Sequence, residues 1–261
     1  RLEDWTVANT SGQAYGSLTT TADYFGGLTG SMESGSSAPL TIKNVKVTGN
    51  STVNVTGNMG VGSYLGGFAG AIGQGSVTYS QVNIDDAGVD GVATVSVGGN
   101  VTAAGYVGGF TGYLYGKANT ANQVTADNVS VGTTNLTITG QTTAGSYYGG
   151  LAGRVNTMCE LNGWNVKTAS NLTFNGNITA LSYVGGALGS LEGASGSPSS
   201  ATGFEVKGLD INLNCNLTNG LNVGGIAGQL NAIAQTNKIE KSSASGKIRT
   251  TGNHTFVRNK T

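Results

Sequence analysis

The sequence predicts an all-β repeat protein, and three observations carry that prediction. Glycine occupies 45 of 261 positions and proline only two, while Thr, Val, Asn and Ser outnumber the strong helix formers. A Gly-Gly-x-x-Gly motif recurs six times. An alternating apolar pair precedes all but the first copy. Together these features favour a β-solenoid, or β-helix, and disfavour helical bundles, coiled coils and Rossmann enzymes.

The glycine motif sets the period of the repeat. Its copies begin 40, 42, 41, 36 and 39 residues apart, and an apolar residue stands two positions past each third glycine. The copies are YFGGLTG, YLGGFAG, YVGGFTG, YYGGLAG, YVGGALG and NVGGIAG, starting at residues 24, 64, 106, 147, 183 and 222. We therefore predict an N-terminal lead-in or cap strand over residues 1–23 and a six-repeat β domain over residues 24–261. The last repeat and tail are expected to form a C-terminal cap.

Upstream of each later motif lies the pattern of a half-buried strand. Two apolar residues, eleven and nine positions before the motif, enclose one polar residue, and a period of two places both on one face. The Ser-, Gly- and Asn-rich connections vary in length, as surface loops do. The apolar pairs are Val53/Val55, Val95/Val97, Leu136/Ile138, Leu172/Phe174 and Ile211/Leu213.

The glycines of the motif have two structural interpretations. Val107 and Phe110 lie three residues apart around one doublet, so a turn or bulge there would return both side chains to the core. Alternatively, neighbouring copies pack so closely that no Cβ can be accommodated. Neither interpretation requires a ligand, and no copy continues with the Lys-Ser/Thr of a nucleotide-binding loop.

A six-bladed β-propeller is the alternative fold, because six units of about forty residues would suit six blades. The Trp-Asp and Gly-His motifs of such blades are missing, and aromatic residues make up only 7% of the chain. The leading segment 1–23 and the divergent last copy also favour an open stack. The β-solenoid is therefore the preferred prediction.

The repeat resembles the GLUG-motif repeats of large surface and secreted proteins. The resemblance is greatest in the last copy, NVGGIAGQLNAIAQTNKIEKSSASGKI at residues 222–248, and earlier copies match mainly over the glycine core. It spans residues 24–261 and implies an extracellular β-rich array that serves as stalk or adhesive architecture. It implies no catalytic residue, because the motif consists of glycine and aliphatic positions.

Residues suited to catalysis or metal binding are few. The single histidine, His254, lies in a polar tail without a nucleophile motif, and the acidic residues share no repeat position. The cluster of Asp85, Asp86 and Asp90 suits a solvated loop better than a calcium site. We therefore expect no enzyme activity, no metal and no cofactor other than covalent N-glycans.

Composition also bears on partners. Thirteen residues of each sign give zero net charge, so the chain has no overall field to attract nucleic acid or an anionic membrane. No apolar stretch approaches the roughly 20 residues of a membrane span. The chain opens with Arg1 and no signal-like apolar run, which suggests a processed or excised segment.

N-glycosylation is the strongest chemical prediction. Eleven of 26 asparagines stand in N-x-Ser/Thr sequons, and several recur at equal distances before the glycine motif. In a stacked array, equal repeat positions line up, so glycans would form stripes along an outer wall. The predicted sites are Asn9, Asn50, Asn54, Asn100, Asn128, Asn135, Asn171, Asn177, Asn216, Asn253 and Asn259.

The two cysteines make no disulfide framework. Cys159 and Cys215 could form one disulfide or remain as two small buried thiols.

Charge differs between the two ends of the chain. Residues 1–37 carry a net charge of −3 and residues 222–261 a net charge of +5. Opposite charges on the open strand edges of a solenoid would favour head-to-tail contact, and a repeated contact of that kind forms a filament. We therefore expect an extracellular or cell-surface structural protein that self-associates into a filament, sheath or stalk. A carbohydrate-binding adhesin domain using exposed Tyr and Trp is the alternative, and a polysaccharide-degrading β-helix enzyme is third.

Overall fold

The computed structural model describes residues 1–14, 23–35, 38–74, 81–117, 123–194, 196–232 and 236–252. These residues form strands and turns and contain no helix. Every ladder between the strands is parallel. The predicted β-solenoid is therefore confirmed. Parallel pairing excludes the six-bladed propeller, which belongs to the antiparallel architectures.

Twenty-five strands follow one another along the described chain. They are β1 Leu2–Val7, β2 Thr10–Ala14, β3 Asp23–Gly26, β4 Thr29–Ser34, β5 Leu40–Val47, β6 Ser51–Val55, β7 Ser63–Gly66, β8 Ala69–Gln74, β9 Val82–Val97, β10 Gly105–Gly108, β11 Thr111–Tyr115, β12 Val124–Asp127, β13 Ser130–Ile138, β14 Tyr147–Gly149, β15 Ala152–Asn156, β16 Cys159–Asn162, β17 Asn165–Phe174, β18 Ser182–Gly185, β19 Leu188–Gly193, β20 Ser200–Thr202, β21 Glu205–Leu213, β22 Leu221–Gly224, β23 Ala227–Ala232, β24 Lys238–Glu240 and β25 Ser243–Thr250.

The strands belong to three sheets, and each turn of the chain passes through all three in the same order. The first, which we call the long sheet, contains thirteen strands: β1, β2, β5, β6, β9, β12, β13, β16, β17, β20, β21, β24 and β25. The tyrosine sheet contains β3, β7, β10, β14, β18 and β22, and the return sheet contains β4, β8, β11, β15, β19 and β23. About six turns are therefore stacked, and β24 and β25 extend the long sheet by one more rung.

The core is built from the predicted apolar pairs. In-register pairing places Val53, Val95, Leu136, Leu172 and Ile211 in one row through successive turns. All five are buried, and so is the second member of each pair. Because equal repeat positions lie directly above one another, each turn completes the interior of its neighbours.

The Gly-Gly doublet forms the corner between the tyrosine sheet and the return sheet. Val107 and Phe110 lie on either side of one doublet and both reach the core. A Cβ added to Gly70, the third glycine of its motif, would lie 2.6 Å from the carbonyl oxygen of Gly30 and 2.7 Å from the backbone nitrogen of Phe25. Both interpretations of the motif are therefore correct: it makes a corner, and close approach of neighbouring turns excludes side chains.

A second corner lies within the long sheet and has a left-handed backbone in seven successive rungs. Its φ angles lie between 49° and 69°. Asp, Asn and Gly tolerate this region better than other residues, and six of the seven positions carry one of them. The positions are Asp4, Asn44, Asp86, Asn128, Gly163, Gly203 and Lys241.

The segment 1–23 contributes β1 and β2 to the first turn, and its last residue, Asp23, begins β3. There β1 pairs with β5, and β2 pairs with β6, both in parallel. The first turn therefore begins upstream of the first glycine motif, because the motif marks a corner inside a turn.

Candidate functional site

Five tyrosines form a ladder on the outside of the tyrosine sheet. Each opens one of the first five glycine motifs, and in-register pairing aligns them. Successive ring centroids are 4.7, 4.8, 5.2 and 5.0 Å apart, with interplanar angles of 19° or less. The rings between the two ends have both faces covered, so they present edges and hydroxyls to solvent. The ladder consists of Tyr24, Tyr64, Tyr106, Tyr147 and Tyr183.

Two tyrosines of the return sheet join this ladder. The ring of Tyr113 lies 5.6 Å from that of Tyr64 and 5.4 Å from that of Tyr106. Tyr115 stacks on Tyr113 at 4.9 Å, and its hydroxyl donates to Oε1 of Glu33 at 2.7 Å. Outward side chains of two sheets thus meet across the glycine corner. We call these seven rings the tyrosine cluster.

An arginine covers part of the tyrosine cluster. Arg154 of the return sheet lies 5.1 Å from the ring centroid of Tyr147 and 5.8 Å from those of Tyr106 and Tyr113. Its Nε and Nη2 donate to the two carboxylate oxygens of Glu192 at 2.9 and 2.6 Å. This bidentate pair occupies the guanidinium, which therefore serves the packing of the cluster rather than an open anion site.

Burial raises the pKa of four phenols in the cluster. It raises the pKa of Tyr64 and of Tyr147 to about 12, and neighbouring tyrosines add to the increase. Burial also raises the pKa of Tyr113. The pKa of Tyr115 is raised by burial and by the neighbouring Glu33 carboxylate, which accepts its hydrogen bond. These four phenols are therefore protonated at neutral pH.

Nine of the eleven predicted glycosylation asparagines lie in described residues, where all are exposed or half-exposed. Asn253, Asn259 and His254 lie outside the described residues. The nine are Asn9, Asn50, Asn54, Asn100, Asn128, Asn135, Asn171, Asn177 and Asn216.

One row of these asparagines links successive turns. The backbone N–H of Asn100 donates to Oδ1 of Asn58 at 2.7 Å, and that of Gln141 donates to Oδ1 of Asn100 at 2.8 Å. The backbone N–H of Asn216 likewise donates to Oδ1 of Asn177 at 3.0 Å. The side-chain oxygen extends the backbone ladder, so this position has a structural reason to carry Asn. The amide nitrogen, which would carry a glycan, is a different atom.

Three further sequons lie on the outer face of the long sheet. Asn135 and Asn171 are register partners, and Nδ2 of Asn171 donates to Oδ1 of Asn135 at 2.9 Å. Oδ1 of Asn54 accepts a hydrogen bond from the hydroxyl of Ser96 at 2.8 Å. Asn135 and Asn171 therefore form one of the rows that the sequence predicted, whereas Asn54 pairs with Ser96 in a neighbouring row of the same face.

Neither cysteine forms a disulfide. Cys159 and Cys215 are both buried free thiols. Burial raises the pKa of Cys159 to about 12, so its thiol is protonated and a poor nucleophile at neutral pH.

Asp85 and Asp86 contact different side chains and do not converge on one site. Oδ1 of Asp86 lies 2.5 Å from Nζ of Lys46, and Asp85 accepts a hydrogen bond from Asn128 at 3.1 Å. Among the residues that the structure describes, no group of three or more His, Cys, Asp or Glu could hold a metal ion. Over the same residues there is also no helix with the length and hydropathy of a membrane span.

The last rung exposes apolar residues from core rows. Ile248 is the register partner of buried Ile211 but is itself 47% exposed. Leu230 pairs with buried Leu191 and is 48% exposed. The strands that would cover these side chains are not supplied by the described residues.

The first rung also exposes apolar residues that occupy core rows. Trp5 is the register partner of buried Val45 and is 58% exposed. Phe25 and Met32 occupy the rows of buried Leu65 and Ile72 and are only partly buried. Both ends of the described stack are therefore unpaired strand edges beside an apolar interior.

Comparison with known proteins identifies no relative: no family model, curated protein or solved structure matches the chain.

Sequence reasoning missed the tyrosine cluster, although part of its signal was present. Tyr stands at the first position of five motif copies, and in a parallel stack such a row must face itself. The return-sheet members carry no repeat signal, because Tyr113 and Tyr115 have Ala71 and Gly73 as register partners in the preceding turn. Those small residues make room for the two rings, and the Tyr115 ring lies directly against Gly73.

Proposed function

We propose that this chain is a non-enzymatic extracellular structural protein, a subunit of an N-glycosylated filament, sheath or stalk that assembles head to tail. The observation that carries the proposal is the pair of unpaired apolar end rungs with opposite charge. The resemblance to GLUG-motif repeats points to the same kind of architecture.

The first rung is acidic. Over residues 1–14 and 23–35 one cation stands against four carboxylates, which gives a net charge of −3. The four carboxylates lie on the same rung as the partly exposed apolar residues of that end. The charged residues are Arg1, Glu3, Asp4, Asp23 and Glu33.

The last rung is basic. Over the described residues from 222 to 252, four cations stand against one carboxylate, which gives a net charge of +3. Every residue of β25 is exposed, and Arg249 of this strand forms an ion pair with Asp210 of β21 at 2.9 Å. The charged residues are Lys238, Glu240, Lys241, Lys247 and Arg249.

Head-to-tail contact follows from strand direction and charge. All strands of a sheet run the same way, so a second copy continues the parallel ladder only when its first rung meets the last rung of its neighbour. Like charges oppose the other two pairings, in which two first rungs or two last rungs meet. A heterologous contact of this kind leaves both outer ends free and therefore propagates.

The purified chain at low salt is expected to form linear oligomers. Ile248→Asn removes apolar surface from the last rung and is expected to weaken assembly in sedimentation and electron microscopy. Leu181→Asn is the matched control, because Leu181 is 45% exposed but lies in the fifth turn, away from both ends. Added salt is expected to weaken assembly as well. Dispersed monomers at high concentration and low salt would contradict the proposal.

Glycosylation is a separate part of the proposal. It is supported by the exposure of the nine described sequons and by the alignment of several of them, such as Asn135 with Asn171 and Asn177 with Asn216, in rows along the outer surface. Intact mass of the natively produced protein is expected to fall on treatment with a peptide N-glycosidase. An unchanged mass would remove this part and leave the assembly proposal standing.

The geometry favours the structural role over a carbohydrate-binding adhesin. Sugar rings stack on open aromatic faces, but the three inner rings of the tyrosine ladder have both faces covered by neighbouring rings. Trp5 offers a more open ring, and it lies on the first rung. A glycan array would test the adhesin: binding that is lost on Trp5→Ala would favour it.

A further inference from the structure

We propose that the tyrosine cluster is a site of oxidative modification, at which a peroxidase that uses hydrogen peroxide joins tyrosines of successive turns as dityrosine. The inference stands on the geometry of the cluster and does not depend on assembly or glycosylation.

The first supporting observation is proximity. The rings of Tyr64, Tyr106 and Tyr147 follow one another at centroid distances of 4.8 and 5.2 Å with interplanar angles of 11° and 5°. Nearly parallel rings at this distance bring their ortho carbons, the carbons that couple in dityrosine, next to each other. The strand ladder holds each ring on a β-strand, so little ordering is needed before the bond forms.

The second observation is access. Tyr24 at the end of the ladder is 40% exposed, and the four other rings of the ladder are each partly exposed. A small oxidant can therefore reach ring edges without opening the fold.

The third observation is a proton acceptor. The Tyr115 hydroxyl donates to the Glu33 carboxylate at 2.7 Å. Oxidation of a phenol removes one electron and one proton, and this carboxylate can take the proton as the electron leaves. Tyr113 then connects Tyr115 to Tyr64 and Tyr106 by ring contacts of 4.9 to 5.6 Å. An electron can therefore pass from a ladder tyrosine through Tyr113 to an oxidised Tyr115.

The overall step balances. Two ortho C–H bonds break and one C–C bond forms between the rings, while both phenol hydroxyls are retained. The two electrons and two protons released reduce one molecule of hydrogen peroxide to two molecules of water. A link between Tyr106 and Tyr147 closes a loop across one turn and restricts the unfolded chain, which stabilises the fold.

The test uses the full chain at low concentration with a haem peroxidase and limiting hydrogen peroxide. We expect dityrosine fluorescence, a chain that keeps its monomer mass on a denaturing gel, and cross-linked peptides that join Tyr64 to Tyr106, Tyr106 to Tyr147 and Tyr147 to Tyr183. Tyr106→Phe keeps a ring in the stack but is expected to abolish both links while a Tyr147–Tyr183 link persists. Tyr148→Phe is the control, because Tyr148 is fully buried outside the ladder. The dityrosine yield of this variant should equal that of the wild-type chain.

The same reaction on urea-unfolded chain measures the contribution of the fold. A several-fold lower yield of these links is expected there. Equal yields in the folded and unfolded chain, or links that form only between chains, would overturn the proposal.

Discussion

Single residues at the corners decide whether one turn can lie on the next. The left-handed corner of the long sheet carries Asn44 and Asp4 in adjacent rungs, and Nδ2 of Asn44 donates to Oδ1 of Asp4 at 2.9 Å. Asn and Asp meet two requirements here: they tolerate a left-handed backbone, and their side chains form hydrogen bonds between turns. Gly163 and Gly203 meet only the first requirement, which shows that the backbone conformation is what the position demands.

Two phenols of the tyrosine cluster, those of Tyr64 and Tyr147, couple stability to alkaline pH. The pKa of Tyr64 and of Tyr147 is raised from 10.0 to about 12 in the folded chain. Between these values the unfolded state loses protons that the folded state keeps, so the free energy of unfolding falls as pH rises from about 10 to 12. Below pH 10 the contribution is fully present. Phenolate absorbance and circular dichroism, recorded together during alkaline titration, should show this loss.

A double variant provides the comparison for this titration. The double variant Tyr64→Phe/Tyr147→Phe keeps both aromatic rings but removes both hydroxyls. We therefore expect its stability to fall less steeply with rising pH. If all phenols of the folded chain titrated near 10 without unfolding, the raised pKa values of Tyr64 and Tyr147 would be wrong.

At the scale of elements, the glycine corner joins strands too short to be stable alone. β14 has three residues, and its neighbours in the tyrosine sheet have four. The ladder continues around the corner: the Phe110 carbonyl accepts from the backbone N–H of Phe68 at 2.9 Å and of Ala69 at 3.0 Å. Stability therefore comes from pairing between turns.

Gly109→Ala is expected to destabilise the chain by about 1–3 kcal/mol, the usual range for overpacking. The new Cβ would overlap the backbone carbonyl of Gly150 and the side chain of Thr134. Gly62→Ala is the matched control, because its Cβ would meet nothing closer than 4.0 Å. Urea unfolding of the two variants tests the prediction, and similar midpoints would show that the doublet tolerates side chains.

At the scale of the whole molecule, the chain is a stack in which each turn meets its neighbours. One consequence is that a complete turn can be removed. Deletion of residues 106–146 joins Gly105 to Tyr147, which is the register partner of Tyr106. The shortened chain is expected to keep its strand content by circular dichroism and to unfold cooperatively at a lower temperature.

Deletion of residues 106–126 is the control for this experiment. It removes about half a turn, so later strands would face the wrong sheet, and we expect this chain not to fold. If the two deletions were equally damaging, the turns would not be the independent units that the stack implies.

Much of this architecture was predictable because it is periodic. The spacing of the glycine motif and of pairs such as Val95/Val97 encodes the turn length and the buried face. A chain that must repeat its backbone path every forty residues repeats its steric requirements as well. The solenoid, its core rows and the need for glycine at the corner follow from the sequence alone.

The tertiary structure alone decided which outward side chains meet. The contact of Tyr113 with Tyr64, the Arg154–Glu192 pair and the free state of Cys159 depend on corner angles and on the offset between neighbouring sheets. A linear pattern carries no information on either quantity, because burial periodicity tells inside from outside but not which outside neighbours touch. For that physical reason the sequence by itself determined the stack, and only the folded chain revealed the tyrosine cluster on its surface.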